Sequence, residues 1–230
     1  RSVTIAVPVA EPAEIPADAP PCFRLPPQIR ATTFDSYAQI SADIAPFFAT
    51  EGTIEPGSAL ADKIAEIGAQ TTDRKERAAL ATQFVQDEVS YLLNGLNGGN
   101  YIPQSPAETW ELRYGDCKAK SLLLLAMLRE LGISAEAVLV QSQTGDALPE
   151  QLPTLTNFDH MIVRADIDGV PYWLDGTNGG LRATNMIEVP RFRYALPLRE
   201  GGTDLQEMAM RPQAVPDQTV SIKIDQSAGV

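Results

Sequence analysis

Histidine and cysteine are scarce in this 230-residue chain, which has one histidine, His160, and two cysteines, Cys22 and Cys117. Two cysteines without a CxxC motif are too few for a disulfide scaffold, and they indicate no particular redox compartment. A zinc site usually needs several cysteine or histidine ligands. We therefore expect no bound metal and no other cofactor.

Positive charge is also scarce, because 30 acidic residues outnumber 18 lysines and arginines and give a formal net charge of −12. A nucleic-acid-binding domain normally carries a basic patch or stripe, so we expect no nucleic-acid partner. The apolar run in residues 122–128 is far shorter than the roughly 20 residues of a membrane-spanning helix. The chain is therefore expected to have no membrane span, while 44% hydrophobic residues suffice for a core.

The first 30 residues are rich in proline, and only residues 2–10 have the composition of a strand. Three segments with apolar residues at helical spacing follow, in residues 32–48, 57–69 and 72–92. Pro46 is expected to end or kink the first of these helices. Ser105 and Glu108 form a capping box with Pro106 at the first helical position, which predicts a further helix start.

After Gly132 the pattern changes to short β-type runs, in residues 134–142, 158–167 and 170–177, with one more in 217–225. Residues 142–157 form a long loop for a compact domain, which suggests a lid or a binding loop. Asp168-Gly169 is a hairpin signal between two of the runs. Helices followed by an antiparallel sheet predict an α+β fold.

The stretch around Cys117 predicts a thiol at the start of a helix. Asp116 is a natural N-cap, which places Cys117 at the first helical position. A helix N-terminus or a nearby cation favours the thiolate, the form that attacks a carbonyl. Lys118 and Lys120 oppose the helix dipole and fit a site that holds an anion. Alternatively, Cys117 is a small buried residue and the two lysines are solvated.

The hairpin gives a geometric reason to associate His160 with Asp175. If Asp168-Gly169 is a two-residue turn, Ile162 lies opposite Asp175, and His160 and Asp175 become diagonal neighbours on one face. Diagonal side chains in a sheet are within reach of each other, so the carboxylate can orient the imidazole. Two alternatives remain, in which His160 is a structural residue of the strand and Asp175 belongs to a turn.

Three segments resemble the transglutaminase-like superfamily, whose catalytic centre is similar to that of papain-type proteases: "RYGDCKAKSLLLLAMLRELGISAEAVLV", "FDHMIV" and "YWLDGT". "YIPQSPAETWELRYGDCK" extends the resemblance upstream, and it covers roughly residues 35–185. The resemblance implies a core of N-terminal helices packed on an antiparallel sheet. It is strongest to a bacterial subgroup with flanking β domains, which divides the chain into the end of a preceding β domain (1–32), the core (33–188) and the start of a following segment (189–230).

The resemblance assigns catalytic roles to three residues. It implies that Cys117 is the nucleophile, His160 the base and then the acid, and Asp175 the residue that orients the imidazole. The chain departs from the subgroup at two positions. Ala119 stands where the subgroup usually has an acid. Asp159 stands where it often has asparagine or glycine, which would strengthen the negative field around His160.

An oxyanion intermediate needs N–H or O–H donors directed at it. The backbone N–H of Cys117 is the natural first donor. Four residues are candidates for a second: Tyr91, Tyr101, Gln104 and Trp110. For the three aromatic residues, packing in the core is the alternative role, and the sequence does not choose among the four.

These features predict a cysteine-dependent enzyme that transfers the acyl group of an amide bond through a thioester, by hydrolysis or by cross-linking. Its partners would be a protein or peptide substrate and the flanking β domains of the full-length protein. The family resemblance implies a periplasmic or cell-surface location. The alternative is a non-catalytic module that retains the fold and binds proteins through the 142–157 loop and the flanking β segments.

Overall fold

The computed structural model describes residues 14–24, 30–92, 101–179, 189–211 and 219–224. The strand predicted in residues 2–10 lies outside these ranges. The described helices are α1 (Tyr37–Ile44), α2 (Ala59–Gln70), α3 (Arg74–Glu88), α4 (Pro106–Leu112) and α5 (Cys117–Glu130). The described strands are β1 (Ser90–Tyr91), β2 (Tyr114–Gly115), β3 (Ser134–Val140), β4 (His160–Ile167), β5 (Val170–Leu174), β6 (Tyr194–Pro197) and β7 (Gln206–Glu207).

Each of the five described α-helices begins after a residue whose side chain caps its N-terminus. The helical segments therefore begin close to where the sequence predicts. Each cap accepts a hydrogen bond from a backbone N–H of the first turn. The caps are Ser36, Ser58, Asp73, Ser105 and Asp116. Pro46 lies in the 3-10 turn Ala45–Phe48 that ends α1, as expected. The third helical segment is shorter than predicted, because α3 ends at Glu88 and Ser90–Tyr91 forms β1 instead.

The main sheet has the strand order β5-β4-β3-β6-β7, and every neighbouring pair is antiparallel. Strands β3 and β4 are joined by the long loop that contains residues 142–157, and β4 and β5 by a hairpin. Ile167 pairs with Val170 across the predicted two-residue turn. Asp168 and Gly169 both have positive φ, at 55° and 76°, as a type I′ hairpin turn requires. The predicted α+β fold is therefore confirmed.

Helix α5 is the central element, since it packs against α3, α4, β3 and β4. Its residues Leu122–Leu128 are buried. Full burial of a leucine side chain contributes roughly 1.5–3 kcal/mol, so this helix is firmly held. Ser121 Oγ donates to the Met161 carbonyl at 3.0 Å, which fixes the helix against β4 next to His160. The first turn is buried as well, and Lys118 and Lys120 are each 1% exposed.

The long loop 142–157 is packed against the first helix. It contains two 3-10 turns, Gly145–Glu150 and Leu155–Asn157, and Leu148 in the first is buried. Tyr37 Oη donates to the Leu148 carbonyl at 3.0 Å and accepts from Asn157 Nδ2 at 2.9 Å. These bonds hold the segment against α1, and its role as a lid or a binding loop stays a prediction.

The boundary predicted at residue 189 falls before β6 and β7, yet both strands belong to the main sheet through the pairing of β6 with β3. Of the strand predicted in residues 217–225, the described residues 219–224 have no regular secondary structure, and the remainder lies outside the described ranges. Within those ranges, no helix is both long and apolar enough to cross a membrane.

Candidate catalytic site

Cys117 is the first residue of α5, as the N-cap argument predicts. Asp116 Oδ1 accepts from the backbone N–H groups of Lys118 at 3.0 Å and Ala119 at 3.1 Å. Gly115 allows the chain to turn sharply into the helix, because a Cβ there would lie 2.7 Å from the Ala119 Cβ. The thiol is thus delivered to a helix N-terminus, and the residue is only 1% exposed.

His160 and Asp175 are directly hydrogen-bonded, with His160 Nε2 and Asp175 Oδ2 separated by 2.9 Å. The pairing of Val163 with Leu174 gives the register that the two-residue turn implies. His160 at the start of β4 and Asp175 just after β5 therefore become diagonal neighbours on one face. The structural and catalytic roles considered for His160 are both compatible with this contact.

The Asp175 carboxylate accepts several further hydrogen bonds. Its Oδ1 accepts from Thr177 N at 2.8 Å and Thr177 Oγ1 at 2.7 Å, while Oδ2 accepts from Asn178 Nδ2 at 2.8 Å. Burial opposes ionisation, but hydrogen bonds from His160 and Thr177 and the charge of His160 lower the pKa of Asp175. Asp175 is thus an ionised acceptor and also part of a turn, so both predicted roles are compatible with its contacts.

His160 also contacts Cys117. Burial disfavours the imidazolium, but hydrogen bonds to Asp175 and Cys117, together with their negative charges, raise the pKa of His160 to about 10. Because Nε2 faces Asp175, Nδ1 is the ring nitrogen left for Cys117. The Phe192 ring packs edge-on to the imidazole, with centroids 5.8 Å apart. At neutral pH the site therefore holds an imidazolium that is hydrogen-bonded to the Asp175 carboxylate.

Tyr91 is the oxyanion candidate that contacts Cys117. Strand β1 pairs in parallel with β2, and Tyr91 is opposite Gly115. Burial, the negative charges of Cys117, Asp116 and Asp175, and a hydrogen bond to Cys117 raise the pKa of Tyr91 to about 12. The hydroxyl thus stays protonated, and it can donate to the sulfur although the residue is 44% exposed.

The other three candidates differ in their surroundings. Gln104 Nε2 is buried and has no hydrogen-bond partner among the described residues, and the Gln104 amide lies beside Gly115. Tyr101 is partly buried against the main core. Trp110 stacks on Phe84 with ring centroids 5.4 Å apart, and the Arg113 guanidinium lies 3.9 Å from its ring. Trp110 also lines a cavity of about 280 Å³ that none of the Cys117, His160 and Asp175 side chains lines.

The two first-turn lysines are buried beneath the site, so the expectation that they are solvated is wrong. Lys118 Nζ forms an ion pair with Asp116 Oδ2. Lys120 Nζ donates to the carbonyl of Val89. The signal in the sequence was the placement of two cations where a helix dipole favours acids. Their burial depends on the segments that cover the helix start, which the local sequence does not specify.

Asp159, which directly precedes His160, accepts hydrogen bonds from the adjoining loop. Its carboxylate accepts from Ser142 N at 2.7 Å, Ser142 Oγ at 2.8 Å and Gln141 Nε2 at 3.1 Å. These bonds satisfy the charge within the loop that leaves β3. Among the described residues, no group of three acidic, histidine or cysteine side chains is arranged to hold a metal ion.

Comparison with known proteins supports the geometry at the level of family and fold. Residues 59–166, which include Cys117 and His160, match the family model of the transglutaminase-like superfamily. No curated protein matches the chain. A candidate protease from Parabacteroides distasonis has a similar structure, with a TM-score of 0.57 at 16% identity over 78% of this chain and 32% of that protein.

A second solved structure, a candidate cysteine protease from Cytophaga hutchinsonii, is 20% identical over 59% of this chain and 42% of that protein, with a TM-score of 0.39. This chain thus spans about a third to two fifths of the length of the two solved proteins. At 16% identity the Parabacteroides distasonis structure supports the fold alone, and the relationship rests on the family-model match. The match over residues 59–166 therefore supports the transglutaminase-like superfamily for this part of the chain.

Proposed function

We propose that this chain is an enzyme that transfers the acyl group of an amide bond to Cys117 and then to water or an amine. The observation that carries the proposal is the hydrogen bond of 2.9 Å between His160 and Asp175, together with the hydrogen bond and charge of Cys117 that help to raise the pKa of His160. A nucleophile, a base and an acceptor that orients the base are the three parts of a cysteine acyl-transfer site. Their order along the chain is also that of the family resemblance.

The protonation states support a specific sequence of steps. The Cys117 thiolate attacks the carbonyl carbon of the amide and forms a tetrahedral oxyanion. The His160 imidazolium then donates its Nδ1 proton to the amide nitrogen, the C–N bond breaks, and an amine leaves a thioester on Cys117. Neutral His160 next takes a proton from water or an amine, which attacks the thioester and releases the product and the thiolate. Asp175 holds the imidazole through Nε2 in each step.

The oxyanion would be bound by two donors. Cys117 N–H lies at the first helical position, where a helix has no internal acceptor for it. For the second donor we favour Gln104, because its Nε2 is a buried donor without a partner in the described part of the chain. A buried unpaired donor costs roughly 1–3 kcal/mol, and an oxyanion would satisfy it. Tyr91 instead contacts the sulfur itself and stabilises the thiolate.

The acyl acceptor decides between a protease and a transglutaminase, since both use the same thioester. We favour hydrolysis slightly. The substrate would be a protein or peptide, and the site would work outside the cytoplasm, in the periplasm or at the cell surface. Incubation of the wild-type protein with a peptide amide, with and without a primary amine, would separate the two outcomes by product mass.

A thiol-directed ketone warhead tests the proposal at near-neutral pH. Cys117 should react faster than free cysteine, and Cys117→Ala should abolish both labelling and any amide-cleaving or cross-linking activity. Cys22→Ser is the matched control, because it removes the other free cysteine and should leave labelling unchanged. If Cys117 reacts no faster than free cysteine and Cys117→Ala retains the activity, the proposal is wrong.

One observation favours the alternative, a non-catalytic module that binds proteins. Cys117 is 1% exposed and contacts Tyr91, so a substrate carbonyl reaches the sulfur only after a local rearrangement. The alternative predicts no warhead labelling, together with capture of a partner protein that survives both Cys117→Ala and His160→Ala. The ion pair of His160 with Asp175 supports the enzyme, because a binding module has no need of it.

A further inference from the structure

Lys120 is a buried cation three residues after Cys117, on the same side of α5. Its exposure is 1%, although lysine is almost never fully buried without a partner. An apolar side chain of similar length, such as methionine, would fill the same space without the cost of removing an ammonium group from water. The lysine therefore calls for an explanation in terms of the groups that surround it.

The surrounding groups are negative or electron-rich. Lys120 Nζ donates to the carbonyl of Val89, the residue that caps the C-terminus of α3. Carbonyls at a helix C-terminus lack internal partners and carry the negative end of the dipole. The negative charge of Asp175 also acts on Lys120 and opposes the effect of burial, which lowers the pKa of Lys120.

These contacts place Lys120 where three segments of the site meet. Its own helix carries Cys117. On one side, Gly176 follows Asp175, and a Cβ at Gly176 would lie 3.8 Å from both the Cβ and the carbonyl oxygen of Lys120. On the other side, Val89 directly precedes β1, which carries Tyr91 to Cys117.

Strand β1 is short and needs such an anchor. It has two residues and pairs with β2 alone among the described strands. Ser90 N donates to the Arg113 carbonyl at 2.8 Å and Leu92 N to the Gly115 carbonyl at 3.1 Å. These two bonds fix β1 relative to β2, and the bond from Lys120 to Val89 fixes its start relative to α5.

We propose that Lys120 is a positioning residue of this site: by holding the Val89 carbonyl, its ammonium group keeps β1 in place so that the Tyr91 hydroxyl meets Cys117 Sγ. The role of this contact rests on the proposed function, since it matters for catalysis only if Cys117 is the nucleophile. Lys120 itself touches no reacting atom. It acts through Tyr91, and its removal should therefore have the same effect as removal of the Tyr91 hydroxyl.

A double-mutant cycle tests this inference, with the rate constant for alkylation of Cys117 by iodoacetamide at pH 7 as the readout. Tyr91→Phe removes one hydrogen bond to Cys117 Sγ and should change the rate constant by up to about tenfold. Lys120→Met should change it in the same direction by a similar factor. The double variant should change it no further than the larger single change, because both substitutions remove the same contact.

Lys118→Met is the matched control, since its ammonium group is also buried in the first turn but is paired with Asp116. The effects of Lys118→Met and Tyr91→Phe on the alkylation rate constant should therefore multiply in the double variant. If the effects of Lys120→Met and Tyr91→Phe multiply as well, the inference is overturned. If Lys120→Met does not fold, Lys120→Gln replaces it in the cycle. The inference is then supported if the effects of Lys120→Gln and Tyr91→Phe on the rate constant do not multiply. Wild-type labelling of Cys117 tests the proposed function separately and does not depend on Lys120.

Discussion

The protonation of His160 is open to direct measurement, because the chain has one histidine and thus a single imidazole signal. In protein free of affinity-tag histidines, the Cε1–H resonance followed by NMR should titrate with a pKa of about 10, well above the ordinary value of 6.5. The cause is the pair of anionic partners, Asp175 at 2.9 Å and Cys117, which outweigh the effect of burial.

Asp175→Asn should lower this pKa by at least about one pH unit. Hydrogen bonds to charged groups contribute about 1.5–3 kcal/mol and neutral ones about 0.5–1.5, a difference of roughly 1–1.5 kcal/mol. One pH unit corresponds to 1.36 kcal/mol, and the lost charge adds to the change. Cys117→Ala should lower the pKa of His160 separately. In the double variant burial dominates, and the pKa should fall below 6.5.

Asn178→Ala is the control for this measurement, because it removes one hydrogen bond to Asp175 but keeps the carboxylate. Its effect on the pKa of His160 should be smaller than that of Asp175→Asn. A wild-type histidine that titrates near 6.5, or a midpoint that Asp175→Asn leaves unchanged, would refute the raised pKa of His160 and with it the proposed acid step.

Two further predictions concern stability and the oxyanion. From pH 6.5 to about 10 native His160 keeps a proton that the unfolded chain has lost, so its stabilisation is complete below pH 6.5 and declines as pH rises toward 10. Urea titrations should show this decline in the wild type and a weaker one in His160→Gln. Gln104→Ala should lower kcat on a peptide substrate roughly 100-fold, as loss of an oxyanion donor does. The same variant should leave iodoacetamide alkylation of Cys117 unchanged, since alkylation forms no oxyanion, and a parallel loss of both rates would contradict the assignment.

The parts of the site that the sequence predicts are those whose geometry depends on residues close together in the chain. Asp116 is a helix cap because its side chain reaches the next N–H groups, so the position of Cys117 follows from a few adjacent residues. The contact of His160 with Asp175 follows from a two-residue turn and the period of two along a strand. Both features depend on short stretches of chain.

The parts that the sequence does not predict depend on distant packing. Lys118 and Lys120 are buried because the end of α3 and the segment after β5 cover the start of α5. Tyr91 leaves the helical pattern because β1 pairs with β2, and paired residues such as Tyr91 and Gly115 are 24 residues apart along the chain. Strands β6 and β7 return to the far side of β3 from beyond the predicted end of the core.

The burial of Cys117 also bears on its chemistry toward oxidants. Sulfenic acid forms fastest on a thiolate that solvent can reach, and further oxidation of that product is irreversible. Only 1% of Cys117 is exposed, with the Tyr91 hydroxyl against it. Hydrogen peroxide therefore reaches the Cys117 sulfur only after the same local rearrangement that a substrate requires. The rate at which peroxide inactivates the resting protein would then measure how often the site opens, without any knowledge of the substrate.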